Sequence, residues 1–333
     1  MTAQSLDYNQ LVASVCRDDF FSFVKEHWDT VITTEPIWNW HIEYLCNELQ
    51  KIAERVFKGE KNPYDLVVNI PPGTTKSTIC SEMFPAWVWT RMPHAQFICA
   101  SYTAPVAYDL ARRCKDIVTS DKYKRYFPDV VLRSDATIML LTEQGGFRLA
   151  VGTGGVTGFH AHFILVDDPL DPQAAGSKTG LDREKALDWM TGTLATRKVD
   201  KEVTCTILIM QRLHQADPSA LMLGQIAEKS WGGKVKHICL PWKISTAIRP
   251  QKLMMRYKDG LLDPVRLSKK VGETYRAKLG SFGFSCQFDQ SPVPLEGGMF
   301  KTDRIVVDEP PAVFKRVVRF WDKAGTILDG DWT

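Results

Sequence analysis

Residues Asn69–Thr78 read NIPPGTTKST, a Pro–Pro–Gly turn leading into a lysine and a hydroxyl residue directly after the apolar run Tyr64–Ile70. A strand ending at Ile70 would deliver a tight loop whose backbone N–H groups turn inward. The helix that follows would set its positive N-terminus at the same point, which makes a site for phosphate oxygens. In such a site Pro72, Gly73, Thr74, Thr75, Lys76, Ser77 and Thr78 wrap a nucleotide. Lys76 reaches the β- and γ-phosphates, and the Ser77 hydroxyl ligates Mg²⁺. Two glycines of the common pattern are missing, since Ile70 stands at the first and Thr75 precedes the lysine. A Pro–Gly turn followed by a helix cap uses the same residues, so this segment alone leaves both readings open.

A second segment, ILVDDP (164–169), is an apolar strand ending in two carboxylates. Beside a phosphate cradle, Asp167 would hold Mg²⁺ through water and Asp168 would polarise the attacking water, a place more often filled by glutamate. Phosphoryl transfer needs these parts because its catalysis is mostly positioning and electrostatics. The alternative is a solvated Asp–Asp–Pro turn. A third segment, TILIMQRLHQADPSALM (206–222), ends a buried strand in Gln211–Arg212. These polar groups would arrive at the same sheet edge, placed to sense a γ-phosphate. His214 reads as a turn histidine, and His160 and His162 as structural.

The elements that must position these residues follow from periodicity. Ile42, Leu45, Leu49, Ile52 and Val56 form one helical stripe, so residues 1–60 read as helical. From 61 to 240 the runs DLVVNI (65–70), QFICASY (96–102), TIMLL (137–141), FRLAVG (147–152), HFILVDD (162–168) and VTCTILIM (203–210) alternate with helical stretches. One helix carries Val106, Leu110, Cys114 and Ile117; another spans 182–196. Near-continuous apolar strands between helices predict an α/β fold with a central, mostly parallel sheet flanked by helices. Prolines and a Gly–Gly pair punctuate 241–315, which reads as a small linker subdomain. A new apolar strand begins at Val317, as though a further domain started there.

The 333 residues carry a net charge of +3, with 44% hydrophobic and 24% charged side chains. That is a globular composition without the basic excess of a protein that coats DNA. No run approaches the roughly 20 apolar residues of a membrane helix, and the N-terminus lacks a secretory pattern. Eight dispersed cysteines read as buried free thiols of a reducing compartment.

Taken together these segments resemble the large terminase subunits of tailed bacteriophages, the motors of viral genome packaging. IPPGTTKST with FPAWVWTRMP resembles that family's phosphate loop and the helix after it. CASYTAPVAYDLARRCKDIVTSDKY (99–123) resembles its next strand and helix. GFRLAVGTGGVTGFHAHFILVDDPLDP (146–172) resembles its approach to the second motif, IMQRLHQADPSALML (209–223) its coupling segment, and YRAKLGSFGFSCQFDQSPVPLEGGMFK (275–301) the lead into its linker. The resemblance implies a P-loop NTPase of the additional-strand group, using ATP and Mg²⁺. Its partners would be double-stranded DNA, the portal of a procapsid, a small terminase subunit and further copies in a ring. It would act in the host cytoplasm and transiently at the portal vertex, with no membrane partner.

The resemblance further implies a ribonuclease-H-like endonuclease domain, of which 316–333 would supply the first strand and Asp322 the first metal ligand. A two-metal site needs several carboxylates, so no DNA cleavage is expected from these 333 residues. Arg148 is the candidate for the arginine that completes a neighbour's site, with Arg112, Arg113 and Arg133 as rivals. Trp40, with Trp38 and His41, is the candidate for the adenine contact, against the commoner reading of buried aromatics. Thr75, being β-branched, is expected at negative φ, leaving Gly73 to supply the bend and the Thr75 hydroxyl to face phosphate. A helicase-type translocase and a non-hydrolysing docking module with a degenerate loop are the competing functions.

Overall fold

The computed structural model describes residues 7–293 except 157, 176, 178 and 228. The chain divides into two units, Met1–Leu295 and Glu296–Thr333, and every described residue belongs to the first. The expectations for 316–333, Asp322 included, lie outside the described residues.

The centre is an eight-stranded sheet: β1 (Asp65–Asn69), β2 (Gln96–Ser101), β3 (Leu132–Ala136), β4 (Met139–Thr142), β5 (Phe147–Gly152), β6 (Phe163–Asp167), β7 (Cys205–Met210) and β8 (Val235–Cys239). Their spatial order is β3-β4-β5-β2-β6-β7-β1-β8. All pairings from β5 to β8 are parallel, and β3 and β4 extend the sheet antiparallel. Each inner strand is apolar on both faces because helices cover both. Leu66, Val68, Phe97, Phe163, Leu165, Ile207 and Ile209 face one buried cluster. Their neighbours Val67, Ile98, Ile164, Val166 and Leu208 face another, as the two-residue alternation of a strand requires.

The helices are α1 (Tyr8–Asp18), α2 (Phe20–Glu26), α3 (Trp40–Lys58), α4 (Phe84–Trp89), α5 (Ala104–Thr119), α6 (Asp121–Tyr126), α7 (Pro172–Ala175), α8 (Leu181–Asp188), α9 (Pro218–Met222) and α10 (Lys269–Gln287). The five apolar residues expected along α3 are all buried. The helix expected over 182–196 is α8 followed by a π turn, Trp189–Thr193, and a 3-10 turn, Leu194–Thr196. α10 is broken at Gly280, where φ is 68° and ψ 178°. Among the described residues no helix is long and apolar enough to cross a membrane.

The strands that apolar runs did not predict are the outermost ones. β3 (LRSDA) and β8 (VKHIC) carry polar residues because an edge strand is less buried than an inner one. The segment after β8 builds a small core of its own from Trp242, Leu261, Leu267, Phe284 and Phe288. There α10 packs so closely that a Cβ at Gly272 would lie 2.0 Å from the Trp242 ring. Residues of the same segment, Ile248, Leu253, Tyr257 and Leu262, complete the main core. All eight cysteines are free and buried.

Candidate phosphate site

β1 ends at Asn69 and the chain turns through Ile70–Thr75 before becoming helical at Lys76. The first turns of this helix, Thr78–Met83, are π-helical and run into α4. Asn69 is fully buried and fixes the strand end. Its Nδ2 donates to the Met210 carbonyl at 3.1 Å and lies 2.7 Å from the Ser219 hydroxyl, while His237 Nε2 lies 2.8 Å from its Oδ1. Within the loop the Thr74 hydroxyl donates to the Pro71 carbonyl at 2.8 Å. Gly73 has φ 77°, the bend expected of it.

Thr75 departs from expectation. Its φ is 63°, in the left-handed region that a β-branched residue avoids at a cost of about 1–3 kcal/mol. Its hydroxyl does not face outward to a ligand but donates back to the Thr74 carbonyl at 2.5 Å. The chain therefore keeps the conformation that a glycine before the lysine would allow, and threonine is forced into it.

Two strands away, β6 brings up both carboxylates. Asp167 is 2% exposed and accepts hydroxyl hydrogen bonds from Ser77 at 3.1 Å and Ser81 at 2.6 Å. Burial raises its pKa; Lys76 opposes the rise and the neighbouring Asp168 adds to it. Asp168, also at positive φ (45°), has a side chain 22% exposed and pairs with the Lys76 ammonium. Burial would depress that ammonium, but Asp168 and Asp167 together outweigh it and hold Lys76 above the ordinary lysine value. The Gln211 N–H donates to Asp168 Oδ1 at 3.3 Å, and the Gln211 Oε1 atom is buried without a partner. Lys76, Ser77, Asp167, Asp168 and Gln211 thus converge at the carboxyl ends of β1, β6 and β7, where parallel sheets bind ligands.

Other candidates are placed differently. Arg212 is buried and its Nε donates to both oxygens of Asp217 at 3.1 and 2.9 Å, so its guanidinium is already engaged by a carboxylate. Arg148 is fully buried on β5 and its Nη2 donates to the Ser81 carbonyl at 3.0 Å. A side chain so enclosed does not reach a neighbouring copy, so the expected trans-acting role is replaced by support of the loop helix from beneath. Its rivals Arg112, exposed, and Arg113, half-buried, lie on α5 and pair with Asp109; Arg133 is exposed on edge strand β3. Trp40 packs near Tyr44 and Tyr257, with ring centroids 6.4 and 5.9 Å away, and the Arg256 guanidinium lies over its face. That face is therefore occupied by protein. His214 Nδ1 accepts from Ala216 N–H and His162 Nδ1 from Gln96 N–H, the structural roles expected.

Ser81 is the site residue that sequence reasoning missed. Its spacing of four from Ser77 on the loop helix was the available signal.

With β7 lying between β1 and β6, the chain has the expected α/β fold with a central, mostly parallel sheet flanked by helices. No family model and no curated protein matches the chain. Among solved structures it is similar to the large terminase from a thermophilic bacteriophage in complex with ADP, at 14% identity and a TM-score of 0.45, covering 81% of this chain and 60% of that one. It is also similar to the HK97 bacteriophage large terminase, at 11% identity and a TM-score of 0.46, covering 78% of this chain and 52% of that one. The chain thus spans less than two thirds of the length of either.

Proposed function

We propose that this chain is the ATP-hydrolysing part of a large terminase, a motor that moves double-stranded viral DNA into a procapsid. The observation that carries the reading is the convergence of Lys76, Ser77, Asp167 and Asp168 on one sheet edge. The terminase-like stretches supply that edge: the loop after β1, the end of β6 and the β7–α9 segment. In hydrolysis a water oxygen bonds to the γ-phosphorus as the bond to the bridging oxygen breaks, giving ADP and phosphate. Asp168, solvent-reachable beside Lys76, would orient that water and take its proton. Lys76 would exchange its carboxylate partner for phosphate oxygens.

The Ser77 hydroxyl and the Asp167 carboxylate are hard oxygen donors that already meet at 3.1 Å, a set that suits Mg²⁺. When bound there, Mg²⁺ would supply charge neutralisation at the phosphates. Double-stranded DNA, a portal, a small terminase subunit and a ring of copies belong to the same proposal, as does action at the portal vertex. A net charge of +3 suits a motor that grips few phosphates at a time, since tight electrostatic binding would oppose stepping.

The test is ATP hydrolysis by wild type and Lys76→Ala with DNA and procapsids present. Turnover in wild type that disappears in the variant is expected. Equal, negligible rates in both would overturn the enzyme and leave a docking module.

A further inference from the structure

We infer that His41 is a positioning residue of the phosphate loop, holding the Thr74 carbonyl so that Thr75 takes the backbone conformation a glycine would otherwise supply. The inference rests on the reading of residues 72–78 as a nucleotide-phosphate loop. His41 is the second residue of α3 and is fully buried. Its Nε2 lies 3.2 Å from the Thr74 carbonyl oxygen and its Nδ1 2.8 Å from Asn39 Nδ2. A carbonyl oxygen only accepts, so Nε2 carries the proton and donates. Nδ1 is then bare and accepts from the Asn39 amide, which also donates to the Leu262 carbonyl at 2.7 Å. Both ring nitrogens are committed, and the residue orienting the ring is itself anchored. Burial pulls the ring down to about 4, so the neutral tautomer persists at neutral pH.

The consequence lies in the planarity of the peptide. The Thr74 carbonyl and the Thr75 N–H sit on opposite sides of one rigid trans unit. Pinning the carbonyl toward His41 therefore fixes the N–H in the reverse direction. A flipped peptide would exchange them and relieve Thr75 of its positive φ. Glycine tolerates either arrangement; threonine does not, and the Thr75 hydroxyl adds its own hydrogen bond to the same carbonyl. His41 thus does from 34 residues away in sequence what a glycine at 75 would do locally.

Calorimetric titration of the full 333-residue chain with ADP and Mg²⁺ tests this as a double-variant cycle. His41→Ala in the wild-type background should weaken ADP by about tenfold or more, and the affinity of Thr75→Gly alone is the reference for the second arm of the cycle. In the Thr75→Gly background, adding His41→Ala should cost less than about threefold, the residual expected of uncoupled sites. A general loss of stability would not be rescued by the glycine, so misfolding and positioning separate. Equal losses in both backgrounds, or none in wild type, would overturn the assignment of His41 alone. If wild type itself fails to bind ADP, the nucleotide reading falls and this inference falls with it.

Discussion

Lys76 and Asp168 neutralise each other across the candidate site, and this pairing sets what a ligand must do there. Phosphate oxygens compete with the carboxylate for one ammonium, so ligand binding and the freeing of Asp168 are the same event. Asp168→Asn should lower ATP turnover by about 10²–10⁴-fold while ATP binds at least as tightly, because the internal competitor has gone. Measuring the ATP dissociation constant beside kcat checks both; weaker binding would show that the pair builds the loop rather than restrains it. Glu82, 2% exposed with one oxygen unpartnered, gives a pH signature. Burial pushes its carboxyl up to about 7, against the opposing Arg113 guanidinium. A raised acid holds its proton longer in the folded state, so its contribution is lost as pH rises from the unfolded value near 4.5 through about 7. Glu82→Gln should remove a pH-dependent loss of about 3 kcal/mol between pH 4.5 and 7.5, read as the difference between denaturation curves of the two proteins. Thr75 shows where sequence reasoning stops at this scale. β-branching argues against positive φ, and nothing near Thr75 in sequence announces the His41 ring that meets the Thr74 carbonyl.

Among elements, the helix after the loop matters most, because it carries Ser77 just before its π-helical turns and Ser81 within them, both bonded to one carboxylate. Ser81 also links the site to the sheet interior, through the Arg148 bond to its carbonyl. Losing a hydroxyl that orients a metal-binding carboxylate costs about 10–100-fold in metal affinity. Ser81→Ala should therefore raise the Mg²⁺ concentration for half-maximal ATPase by that factor, with little change in ADP binding without metal. An unchanged Mg²⁺ requirement would make the Ser81–Asp167 bond purely structural. The inner strands were legible because burial on both faces leaves an unbroken apolar run. β3 and β8 were not, because edge strands mix polar residues among apolar ones. The order of Lys76, the Asp167–Asp168 pair and Gln211 along the chain was readable too, since each follows a strand that the apolar pattern marks. What Arg148 and Arg212 do was not, because an arginine beside a strand looks the same in sequence whether it points outward or is sealed beneath a helix.

At the scale of the molecule, composition indicated a globular chain, and alternation of strand and helix indicated the sheet. Neither could indicate that residues after β8 would return to the main core, as Leu253, Tyr257 and Leu262 do, or that Leu262 would anchor the residue orienting His41. Such contacts are set by packing between distant segments and leave no periodic trace.

The buried thiols make the opening of this molecule measurable without introducing new residues. One cysteine lies in each of α1, α3, the loop helix, β2, α5, β7, β8 and α10. Burial raises the pKa of Cys80 and Cys99, so each reacts only when its surroundings part. Brief alkylation followed by peptide mass mapping should modify Cys16 and Cys286 before Cys99 and Cys205, whose strands open only with the whole sheet. Nucleotide should slow Cys80 selectively, since that residue rides on the helix whose start would clasp the phosphates. Uniform protection of all eight thiols would instead mean that the molecule opens as one piece. The cysteines would then serve as a clock for global unfolding, not a map of its parts.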